Sequence, residues 1–201
     1  MKNRRDFLKT AGLATGIAIF PNLESITHTN LEEGIHILGP RNGYSPQVGT
    51  LLSMLTWMRN VVVLNVKSMK QQELDYLHDS KSNTIGAMLL HLAAVERDYQ
   101  QKTFGWAGDK NELLDAALHL GEKSRKLIKG HNAEFYIDIL TKIRSKTIEE
   151  FKKRDDNWLN TIDPKGYQNM PTNYYCKWFH VCEHESNHNG QIKYIKSRLP
   201  N

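Results

Sequence analysis

The sequence predicts an all-α protein, a four-helix bundle with one long crossover and a short extra helix. Three observations carry that expectation. Apolar residues recur at helical spacing in four long segments. Capping residues or prolines stand where those segments begin. No stretch alternates apolar and polar residues in the manner of a half-buried strand.

The first segment opens at Ser45-Pro46, a cap followed by proline at the first helical position, and its stripe runs Leu51, Leu52, Leu55, Met58, Val62, Val66 to about Met69. Ser82-Asn83 supplies a second cap before Ile85, Met88, Leu89, Leu92, Val95 and Tyr99. His91 falls within this stripe, three residues after Met88 and four before Val95, so its imidazole should face the bundle interior. Gly105, Gly108 and Asp109 then break the chain ahead of an amphipathic insert, Asn111 to Lys129, which Gly121 should shorten or bend. A third long helix should start near Asn132 and carry Phe135, Ile139, Leu140, Ile143, Thr147, Phe151 and Trp158. Beyond the loop at Asp163-Pro164 and Lys165-Gly166, the last helix should begin near Thr172 and run to about Leu199.

At 201 residues and 39% apolar composition, the chain is long enough for one domain with a proper core. Of its formal charge of +5, Lys2, Arg4, Arg5 and Lys9 against Asp6 place most in the first nine residues. The remainder is close to neutral with both signs interspersed, which gives no electrostatic case for a nucleic-acid partner. Cys176 and Cys182 lie too far apart on one helix for a disulfide and read as small core residues.

The N-terminus reads as an address. Asn3-Arg4-Arg5-Asp6-Phe7-Leu8-Lys9 precedes a short, glycine-interrupted, mildly apolar stretch from Thr10 to Phe20, and this resembles a twin-arginine export signal. No Ala-x-Ala cleavage site follows, so retention as an N-terminal membrane anchor stays open. Residues 1–30 are accordingly assigned to signal and linker and residues 31–201 to the bundle, with a periplasmic or membrane-anchored location outside the cytoplasm.

The most informative residues are in the last helix. His180, His184 and His188 recur every four residues, in a column on one face. The outer two are about 12 Å apart along the axis, so only one neighbouring pair can converge on one ion. With nine histidines in the chain, spacing alone does not establish a site. A facing helix that offers an inward His91 strengthens the case, because bundle metal sites are assembled from side chains on facing helices. Three neutral imidazoles with a fourth position open form the ligand set of a catalytic divalent site that zinc, nickel or iron would accept.

Ser82-Asn83-Thr84-Ile85-Gly86, His91-Leu92-Ala93-Ala94-Val95-Glu96-Arg97, and the run from Trp178 through His184-Glu185-Ser186-Asn187-His188-Asn189-Gly190-Gln191 to Ile192 resemble the DinB-like family of metal-dependent four-helix bundles. The resemblance covers residues 44–199 and implies that His91, His184 and His188 bind a divalent metal, zinc first. It also implies a thiol-dependent transferase or a hydrolase acting on a small molecule, with a low-molecular-weight thiol as partner and a homodimer as assembly. A non-catalytic metal-binding or stress-related bundle is the alternative from another class. Asn189 departs from the family, where arginine is frequent, and a part for it in substrate binding or in helix packing stays open. His180, Glu96, Glu185 and Gln191 are candidates to orient the ligands or move protons, against ordinary surface pairing. His28, His36, His78, His119 and His131 fall in loops or the insert and read as ordinary polar residues.

Overall fold

The computed structural model describes residues 34–108 and 110–200. The segment expected to be an export signal, residues 1–30, therefore lies outside the described residues. Helix α1 spans Pro46–Val66, with proline in its first turn as the sequence implies, and α2 is a single turn, Gln71–Leu74. Helix α3, Ile85–Phe104, is capped by Thr84, whose side chain accepts from Ala87 N, rather than by Ser82-Asn83, and Gly105 ends it in the left-handed conformation.

The expected insert is two short helices, α4 (Glu112–Ala117, capped by Asn111) and α5 (Glu122–Leu127), separated at Gly121, whose φ of 133° suits glycine. Helix α6, Ala133–Phe151, starts on the Asn132 cap but ends before Trp158. Asp155 caps a separate turn, α7 (Asp156–Leu159), which carries that tryptophan. Two residues of strand on each side, β1 (Ile162–Asp163) and β2 (Thr172–Asn173), form an antiparallel hairpin that the sequence did not announce. Thr172 belongs to β2, and Asn173 is the cap of α8, Tyr174–Lys196. Among the described residues no helix is long and apolar enough to cross a membrane.

Helices α1, α3, α6 and α8 make the bundle, α3 packing against both α6 and α8, and α1 against α8 and α6. Its core is divided in two. One apolar cluster joins Val62, Leu89, Leu92, Tyr136, Leu140 and Ile192, and the other joins Leu51, Leu55, Phe151, Trp178 and Val181. In the second, Trp178 packs on Phe104 and Phe151, with ring centroids 5.2 and 4.8 Å away.

Between the clusters in chain order along each helix stand Arg59, Glu96, Arg144 and Glu185, all buried. Arg59 donates to Glu96 Oε2 at 2.7 Å and to Glu185 Oε1. Arg144 donates to Glu96 Oε1 at 2.7 Å and to Glu185 Oε1 at 2.8 Å. Thr147 donates to Glu96 Oε1 at 2.6 Å, and the remaining guanidinium groups reach the Leu140 and Leu55 carbonyls. Burial alone would raise the Glu96 carboxyl, but Arg144 and Arg59 outweigh it and hold it at about 2.

The cysteines depart from expectation. Cys176 is exposed and Cys182 half-buried, because the inward face of α8 in that turn is taken by Trp178 and Val181.

Removing one partner of such a buried network leaves the others uncompensated, so Glu96→Gln should lower the unfolding free energy by about 3–5 kcal/mol in urea titrations. The Glu96 contribution is present above an unfolded carboxyl value near 4.5 and is lost as pH falls towards 2. A loss under about 1 kcal/mol would contradict the assignment.

Candidate metal centre

Helices α3 and α8 run antiparallel, and at the middle of their seam three imidazoles meet. His91 Nε2 lies 3.2 Å from His184 Nε2, and His188 Nε2 lies 3.1 Å from the same atom. The ring centroids are 4.9, 5.0 and 4.5 Å apart for the pairs 91–184, 91–188 and 184–188. His91 and His188 are buried and His184 half-buried, and one candidate ligand atom from each falls within 4.8 Å of the other two. The four-residue spacing on α8 supplies two rings on one face, and the apolar setting of His91 turns the third inward to meet them.

Two of the three rings have their tautomer fixed from behind. His91 Nδ1 donates to the Ala117 carbonyl at 2.8 Å, and His188 Nδ1 donates to Gln191 Oε1 at 3.0 Å. Both therefore present an unprotonated Nε2 to the centre, where His184 has a single proton to offer two acceptors. With its own proton moved to Nδ1, His184 would add a third lone pair, and a cation with affinity for nitrogen would satisfy all three at once.

Burial, helped by the neighbouring imidazoles, pushes His184 down to about 3. Burial does the same to His91, which falls to about 4 although its bond to Ala117 opposes the shift. His188 is lowered by burial against the opposing bond from Gln191. Neutral imidazole is the form that ligates metal.

The other candidates divide. Gln191 touches a ligand ring, as above. Glu96 and Glu185 touch none: burial on the inward faces of α3 and α8 commits them to Arg59 and Arg144, so they are neither imidazole partners nor surface groups. His180 stands one turn from the triad, where the Tyr99 hydroxyl meets its Nδ1 at 2.9 Å, and its ring centroid is 5.3 Å from that of His184. Asn189 serves helix packing, accepting from Asn65 Nδ2 of α1 at 2.8 Å.

Sequence reasoning missed three participants. The Ala117 carbonyl sits at the end of the first insert helix, and a backbone atom carries no sequence signal. Arg59 and Arg144 did carry one, since each is a charge set among apolar residues at helical spacing, next to Met58 and Ile143.

At the Gln191 end of the seam a cavity of about 500 Å³ opens among His78, Asn83, Met88, Asn187, Gln191 and Tyr194. At the other end lies a smaller, aromatic one beside His180. A family model described as Mycothiol-S-transferase matches residues 50–199, a span that includes all three histidines. Among curated proteins, none matches the chain.

In protein stripped with a chelator, nitrogen-detected NMR should find His91 with its proton on Nδ1 and titrating near 4. The unfolded chain takes up that proton near 6.5, so the stripped protein should lose stability as pH falls from 6.5 towards 4. A His91 ring that titrates near 6.5 in the folded state would contradict this geometry.

Proposed function

Because the chain belongs to the mycothiol-S-transferase family, a DinB-like family, we propose that it is a metal-dependent transferase that joins a low-molecular-weight thiol to a small electrophile. The observation that carries the reading is the convergence of three Nε2 atoms with the protons of two rings held on the far side. His91, His184 and His188 would hold a divalent cation. Zinc suits three neutral imidazoles best, and nickel or iron would also accept them. When bound, such an ion supplies Lewis acidity that favours the thiolate over the thiol at neutral pH.

The chain's own residues do the rest. The Ala117 carbonyl and Gln191 fix the orientation of two rings, and burial keeps all three neutral. The Arg59–Glu96–Arg144–Glu185 network sets the register of α3 against α8, so the rings keep their spacing whether or not substrate is present. The cavity beside Gln191 is large enough for the body of a small thiol. In the reaction the thiol sulfur bonds to the electrophilic carbon, the bond from that carbon to its leaving group breaks, and the thiol proton departs to solvent.

The same proposal extends to residues 1–30, which would direct the folded, metallated protein across the membrane by the twin-arginine route or anchor it there. A homodimer that makes no use of nucleic acid belongs to the same reading.

Protein purified without an affinity tag should carry about one divalent ion per chain, and His91→Ala and His188→Ala should each lose it. Zinc-loaded wild type should couple mycothiol to monochlorobimane, and the two variants should fall by about 100-fold or more. Metal-free wild type would overturn the site. A metallated protein inert towards thiols would leave only the non-catalytic reading.

A further inference from the structure

The second cavity on the seam, about 260 Å³, is lined by Tyr99, Tyr167, Cys176, Lys177, Phe179 and His180. Three observations set it apart from an accidental surface dent. First, it adjoins the triad through His180, whose ring lies beside those of His184 and Tyr167, at 5.3 and 5.4 Å between centroids. Second, its walls leave aromatic surface in water: Tyr167 of the β1–β2 loop and Phe179 of α8, each 50% exposed, line the same cavity.

Third, the wall that carries Tyr167 is built at a conformational cost. Gln168 and Asn169 follow it with φ of 53° and 59°, consecutive left-handed residues that are not glycine. The turn is held by Thr172, whose hydroxyl accepts from Tyr167 N at 2.9 Å and donates to the Met170 carbonyl at 2.9 Å. Gly166 packs so closely on Thr172 that an added Cβ would lie 2.5 Å from the Thr172 Cβ. The hairpin between β1 and β2 is thus shaped to hold one tyrosine over the His180 end of the seam.

We infer that this cavity is the acceptor site: it binds the electrophilic substrate, a small, flat, aromatic or conjugated molecule, by stacking it against Tyr167 and Phe179 beside the three histidines. This assignment rests on the thiol-transfer reading above, and it divides the seam between the two substrates, the thiol entering from the Gln191 end and the acceptor from the His180 end. Tyr167 and Phe179 are specificity residues, with no part in the bond changes. A flat acceptor suits the walls because aromatic faces reward stacking, whereas a compact polar electrophile gains nothing from them.

The test separates binding from turnover. Tetramethylbimane, a flat fluorescent bicycle without a leaving group, should bind zinc-loaded wild type saturably, and Tyr167→Ala and Phe179→Ala should each weaken it by about 3- to 10-fold. Leu64→Ala, an exposed apolar residue of α1 that lines neither cavity, should leave that affinity unchanged. In steady-state assays Tyr167→Ala should raise the KM for monochlorobimane by a similar factor, leave the KM for the thiol alone, and leave turnover of the compact acceptor iodoacetamide alone. Unchanged bimane affinity in both variants, with wild-type turnover intact, would overturn the acceptor site and spare the transferase. Absence of turnover in wild type would overturn the transferase, and the acceptor role with it.

Discussion

Each of the four long helices contributes one buried charge to a single layer: Arg59 from α1, Glu96 from α3, Arg144 from α6 and Glu185 from α8. The two positive and two negative charges cancel, and their hydrogen bonds cross every pair of helices that a carboxylate and a guanidinium can join. Apolar packing alone tolerates sliding of one helix against another, since a leucine accepts many neighbours. A charge buried among four helices tolerates little, because a shift of one turn would strand it without a partner. This layer therefore fixes the axial register of the bundle.

The histidine site inherits that register. Glu185 is the residue after His184, and Glu96 lies a little over one turn beyond His91, so the network that pins these two glutamates also sets the three imidazoles level with one another. The insert then acts on the result. Its first helix ends with the Ala117 carbonyl against His91, fixing that ring's tautomer, while Gln191 does the same for His188 from within α8. Apolar surroundings keep the rings neutral. The protein thus prepares ligands, instead of leaving a metal to gather and deprotonate them.

Much of this architecture could be read from the sequence because it depends on periodicity. The apolar stripes gave four helices, the inward position of His91 followed from its neighbours Met88 and Val95, and the four-residue column on α8 put His184 and His188 on one face. Membership of the DinB-like bundles was legible from the same segments. What stayed hidden has physical reasons. A cap can be any of several adjacent polar residues, so Thr84 and Asn173 were displaced by one or two positions from expectation. The break after Phe151 leaves Trp158 on its own turn, yet the apolar spacing runs straight across it. The hairpin has only two residues per strand, too few to show alternation. Glu96 and Glu185 looked like partners for imidazole because sequence shows which helix face a carboxylate occupies but not which cation on another helix will claim it.

What surrounds the ion that the three imidazoles would hold decides whether the site can bind a thiol. X-ray absorption at the zinc edge of the loaded protein measures this directly, before and after a low-molecular-weight thiol is added. The expected result is three nitrogen scatterers at about 2.0 Å plus a light, exchangeable ligand that is replaced by one sulfur at about 2.3 Å. A shell closed by four protein ligands, or one that does not change when thiol is added, would contradict it.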